Sequence, residues 1–209
     1  MIMLRRFREI IQKYIPQEAS VYCVHLWEKY PFSFKVSRQR TSKIGDYRFN
    51  PRTGNHEISV NGNLNPYAFL ITYVHEVAHM MHYLKNGNNR PPHGKVWKQI
   101  FQDLMQPLMA DGIFPEDIHV QLARHMKNPK ASSQSDAALV KSLKHFDHHQ
   151  DDTELYLEEL DEGASFVLNR RVYTKIKKRR TRSLCREKRT GRNFLISELA
   201  VVKEYPETD

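Results

Sequence analysis

The chain has 209 residues, 40% of them hydrophobic and 27% charged, with a formal net charge of +9. That length and apolar content allow one substantial core and a second, smaller one. No apolar run is long enough to span a membrane. The opening residues are basic without the apolar stretch of a secretory signal, so a cytoplasmic location is expected. The two cysteines, Cys23 and Cys185, lie far apart. They exclude a disulfide framework and a four-cysteine zinc ribbon.

The charge is unevenly spread. Residues 1–110 carry a net +8, residues 111–162 a net −7, and residues 163–209 a net +8. Basic surface of this kind attracts nucleic acid and other polyanions.

In chain order, residues 3–14 read as a helix with Leu4, Phe7, Ile10 and Ile11 inward, and residues 16–30 as a second, shorter helix. Residues 31–36 alternate apolar and polar, as a strand does. Residues 46–49 and 56–60 are two more strands, with a hairpin-type turn over 50–55 between them. Strand 56–60 is the expected sheet edge, on analogy rather than pattern, and an edge can hold an extended peptide through main-chain hydrogen bonds.

Asn65 is a good N-cap and Pro66 suits a first helical turn. Leu70, Ile71, Val74, Val77, Ala78 and Met81 then recur at helical spacing until Gly87 ends the run. This helix carries His75-Glu76-Val77-Ala78-His79. Residues four apart share one helix face, so His75 and His79 can reach one ion, with Glu76 beside them. Zinc catalysis needs about three protein ligands, an open position for water and a nearby base.

His93 is the expected third ligand. It follows a turn, and Trp97, Ile100, Phe101 and Leu104 give the next helix an apolar stripe with which to return against the first. Gly94 is expected where backbones approach closely. His82 lies further along the first helix. Three ligands strung along one straight helix do not easily surround an ion, so His82 is expected to pack or hydrogen-bond below the site. Glu76 is the expected general base. Tyr67, Tyr73 and Tyr83 read mainly as packing residues.

Beyond the returning helix, residues 115–127 form a further expected helix, and another starts at Ser135 or Asp136 and runs through Phe146. His145, His148 and His149, with Asp147, Asp151 and Asp152, form a polar, acidic run expected to be an exposed linker. From about Gly163 the pattern changes to four or five short strands, enough for a small barrel-like β module. Simple alternation along Lys175, Lys177, Lys178, Arg179, Arg180 and Arg182 would set several cations on one face. Such a face suits phosphate contact, and equally the blunting of an edge strand.

The motifs His75-Glu76-Val77-Ala78-His79 and His93-Gly94-Lys95-Val96-Trp97, with Gly45-Asp46-Tyr47-Arg48 and Ile58-Ser59-Val60-Asn61, resemble the SprT-like metallopeptidase family, in particular its bacterial branch. Its eukaryotic member is Spartan. The resemblance covers roughly residues 1–110. It implies an α+β zinc-peptidase fold, Zn2+ at His75, His79 and His93, and Glu76 as the catalytic base. It also implies protein substrates, including proteins crosslinked to DNA. The paired cysteines of the zinc ribbon found in many such proteins are missing here.

The expected organisation is thus a peptidase core over 1–110, with a small antiparallel sheet and the His-Glu-x-x-His helix. An acidic helical segment and linker over 111–162 and a basic β module over 163–209 follow. The alternative is a nucleic-acid-binding protein with a structural or vestigial zinc site.

Overall fold

The structure is a computed structural model describing residues 2–40, 42–87, 91–110, 112–132, 136–147 and 153–206. The chain divides into two compact units, Met1–His148 and His149–Asp209. The division falls in the acidic run that reads as a linker in the sequence. Residues 112–147 therefore belong to the first unit, and residues 153–162 to the second. Ser135, His148, His149, Asp151 and Asp152 lie outside the described residues.

The first unit opens with α1 (Ile2–Ile11), a short 3-10 turn (Gln17–Ala19) and α2 (Ser20–Lys29). Phe7 and Ile11 turn the apolar face of α1 inward, where the Phe7 ring stacks on Trp27 at 5.3 Å. Three strands follow: β1 (Ser33–Ser37), β2 (Gly45–Asn50) and β3 (Asn55–Asn61). β2 and β3 form the expected antiparallel hairpin, closed by a turn in which Gly54 has φ 69°. β1, however, pairs with β3 in parallel, so the strand order is β1-β3-β2 and the sheet is mixed.

That order corrects the expected edge. The 56–60 segment is the central strand, with Ile58 and Val60 buried under the helix that follows, and the edges are β1 and β2.

The central helix is α3 (Pro66–Asn86). The Asn65 side chain accepts from the Ala68 N–H at 2.9 Å, supplying one bond that the first helical turn lacks. Its amide also donates to the Leu143 carbonyl at 2.8 Å and to Asp147 at 2.7 Å. The start of α3 is thereby tied to the end of α6 (Ala137–Lys144). Phe69, Leu70, Tyr73, Val74, Val77 and Met80 are all fully buried, so α3 is enclosed on most of its circumference rather than along one stripe. Each such side chain contributes about 1.5–3 kcal/mol of burial. Gly87, at φ 57°, ends the helix with its N–H on the Tyr83 carbonyl.

α4 (Lys95–Ala110) returns against α3 and buries Trp97, Phe101, Leu104, Met105 and Leu108. α5 (Glu116–Met126) carries Glu116 and Asp117 in its first turn and Arg124 and His125 in its last, matching the helix dipole at both ends. It packs on α6, and the His125 ring nitrogen lies 3.0 Å from Asp136.

The second unit is a six-stranded antiparallel sheet in the order β4-β9-β5-β6-β7-β8. Its strands are β4 (Glu154–Tyr156), β5 (Ser165–Leu168), β6 (Arg171–Lys178), β7 (Arg182–Glu187), β8 (Asn193–Ser197) and β9 (Val201–Glu204). β4 and β8 are not paired with each other among the described residues, so the sheet is open where a barrel-like closure was expected. Leu157, Leu160, Phe166, Tyr173, Cys185 and Val202 form its core.

Candidate metal centre

α3 presents His75 and His79 one turn apart, and the Pro91–Gly94 turn swings His93 back onto them just before α4 begins. His93 thus sits in the turn, not on the returning helix. The Nε2 atoms of His75 and His79 are 3.1 Å apart, and those of His79 and His93 are 3.0 Å apart. Ligand atoms of all three residues fall within 4.8 Å of one another. Tetrahedral nitrogens at about 2.0–2.1 Å from zinc stand roughly 3.3 Å apart, so the convergence fits a metal ion.

The protonation states fit as well. Burial, reinforced by the neighbouring imidazoles, pushes His75 down to about 3 and His79 down to about 4. Burial first, then His82 and the Lys98 charge, lower His93 as well. All three rings are therefore neutral at pH 7, with lone pairs available to a metal. Trp97 forms the floor, its ring centroid 4.7 Å from His75, 5.1 Å from His79 and 4.8 Å from His93. The Trp97 side chain is fully buried, and its N–H has no hydrogen-bond partner among the described residues.

Glu76 is 7% exposed and points toward β2. Its carboxylate accepts a hydrogen bond from the Tyr47 N–H. Burial pushes the Glu76 carboxyl up to about 8, and the negative charge of Asp46 adds to the effect. Arg40, Lys43 and the Tyr47 N–H pull the other way. A metal in the triad would also favour the ionised form.

Gly45 admits this arrangement. A Cβ there would collide with the Glu76 carboxylate and lie 2.7 Å from Thr72 Cγ2. The close approach expected at Gly94 is mild by comparison, its nearest neighbour being the Pro91 carbonyl at 3.3 Å.

The triad and Glu76 line a cleft of about 900 Å³. Lys43 and Asp46, paired at 2.8 Å, lie on its wall, and Ala131 and Ser132 contribute from the α5–α6 connection. The sequence carries no signal for Lys43, Ala131 and Ser132, whereas Gly45 and Asp46 fall in the Gly45-Asp46-Tyr47-Arg48 string, which does not by itself disclose their place in the cleft. His82 also lines the cleft and is 5% exposed, but stands outside the ligand triad. Among the described residues, His75, His79 and His93 are the one group able to hold a metal.

The basic residues of the second unit separate into two kinds. Lys175 is 2% exposed, donates to the carbonyls of Leu157 and Leu160 at 2.8 Å each, and lies 3.8 Å from Glu198. It is a core residue, which removes it from the expected phosphate-facing set. A register shift between Lys175 and Lys177 sends the two side chains to different surroundings. Lys178 is half-exposed and pairs with Glu198 at 3.4 Å. Lys177, Arg179, Arg180 and Arg182 are exposed at the β6–β7 turn.

No helix among the described residues is long and apolar enough to cross a membrane. The SprT-like family model matches residues 11–120, which is more than half of the chain and includes all three histidines and Glu76. No curated protein and no solved structure is significantly similar to the chain.

Proposed function

The chain belongs to the SprT-like family, and we propose that it is a zinc-dependent endopeptidase. The convergence of three neutral imidazoles beside one buried carboxylate, inside an open cleft, carries this proposal. Three protein ligands next to open space suit a catalytic zinc better than a structural one, which is usually closed by four.

His75, His79 and His93 would hold a zinc ion, which would supply Lewis acidity toward a water and a substrate carbonyl. Glu76 takes a proton from the attacking water on its carboxylate and returns it to the leaving amine. The Tyr47 N–H and the close passage of β2 fix the carboxylate's orientation. The extended substrate lies along β2, the sheet edge nearest the catalytic carboxylate, in place of the strand first expected.

Metal analysis tests the ligand set. His93→Ala loses stoichiometric zinc, whereas His82→Ala retains it. Retained zinc in His93→Ala would overturn the assignment.

The four exposed cations at the β6–β7 turn favour a second element of the proposal, contact with nucleic acid, and hence DNA-bound or DNA-crosslinked proteins as substrates. A nucleic-acid-binding protein with a structural or vestigial zinc is the rival. Both require DNA affinity that falls steeply with salt. Only the peptidase cleaves. The proposed location is the cytoplasm, where the two free, buried cysteines would stay reduced.

A further inference from the structure

The catalytic chemistry leaves one wall of the cleft unused. Tyr47 and Phe49 are two residues apart on β2, so their rings face the same side, toward the cleft. Tyr83, four residues past His79 on α3, meets them there. The Phe49 ring lies 4.7 Å from Tyr83 and 5.0 Å from His56, which backs the group from β3. Tyr47 stacks on His56 at 5.9 Å, and the Tyr47 hydroxyl is 2.9 Å from the His56 ring nitrogen. The polar atoms of this pair satisfy each other.

Tyr47, Phe49 and Tyr83 are only half-buried, unlike the closed core rings Phe69 and Tyr73. The shelf offers aromatic ring surface, held in place by ring contacts, in the same cleft as the triad. The other charges on the cleft wall, Lys43 and Asp46, are paired together and offer little to select a charged side chain.

We propose that Tyr47, Phe49 and Tyr83 form a specificity subsite for an aromatic or large aliphatic side chain of the peptide held along β2. Such a side chain would sit beside the bond presented to the triad, and its burial against three rings is the source of selectivity. This inference rests on the reading of the cleft as a peptidase site, and its test must separate the two.

Zinc-loaded Glu76→Gln protein is titrated by calorimetry with acetylated decapeptides of alanine and serine carrying one phenylalanine, moved position by position. At one position, replacing that phenylalanine with alanine weakens binding by about tenfold or more. In Phe49→Ala and Tyr83→Ala the difference shrinks to less than about twofold, while Phe49→Leu, which keeps apolar area and the fold, preserves most of it. No positional preference, or one unchanged in both alanine variants, overturns the subsite. Preference without cleavage by the parent protein leaves the subsite standing and removes the peptidase function. Cleavage without preference does the reverse.

Discussion

Gly45 lies directly against the carboxylate of Glu76, so that a single methyl group on β2 would displace the proposed general base. The two residues are 31 apart in sequence, and the contact exists because the β2 edge runs beside α3. Gly45→Ala must shift either the strand or the carboxylate. Misplacement of a reacting group by about 1 Å can cost roughly a hundredfold in rate. Gly45→Ala is therefore expected to keep the zinc and lose about two orders of magnitude in peptide cleavage, measured as kcat/KM alongside metal content. Full activity would show that the close approach does not matter.

The protonation states predict a proton count. Without metal, burial holds the Glu76 carboxyl at about 8, so it is mostly protonated at pH 7, while the three histidines are already neutral. Zinc then displaces about one proton at pH 7, from Glu76 rather than from its ligands. Calorimetric titration of zinc in buffers of different ionisation enthalpy measures this release, which Glu76→Gln should abolish.

The same shift acts on the stability of the metal-free protein. The folded Glu76 carboxyl titrates above its unfolded value of 4.5, so the folded state binds the extra proton and this contribution falls as pH rises from about 4.5 to 8. The depressed histidines act oppositely: the unfolded chain binds their protons, and stability rises with pH from about 3 for His75 and about 4 for His79 toward 6.5. Chemical denaturation of parent and Glu76→Gln proteins across pH 5–8 separates the two. The parent alone should lose stability toward pH 8.

The sequence disclosed the local parts of this site and concealed the long-range ones. The four-residue spacing of His75 and His79, the Asn65 cap and the Gly87 stop are consequences of helix geometry, readable within one segment. That β3 is central, and β2 the edge beside Glu76, depends on β1 pairing in parallel across more than twenty residues, which no local pattern encodes. Lys175 shows a second limit. Alternation placed it on one face with Lys177, but the irregularity between them breaks the period of two.

That buried lysine makes a separate prediction. Lys175→Ala removes the donor from two carbonyls and one of the two lysines near the buried Glu198. The loss is about 3 kcal/mol, confined to the second unit. Hydrogen exchange should show faster opening of β6 and β7. Tryptophan fluorescence, reporting Trp27 and Trp97 in the first unit, should not change. Lys177→Ala, at an exposed position, should leave exchange unaltered.

The central claim is that Glu76 moves the proton while His75, His79 and His93 hold the zinc. Glu76→Gln nearly preserves shape and leaves the triad intact, so it divides the two roles. Zinc content and cleavage of an unfolded protein substrate, measured on the same preparation, test it most directly. The expected result is one zinc per chain with cleavage reduced by at least about a hundredfold. Zinc retained with cleavage as fast as in the parent would contradict it.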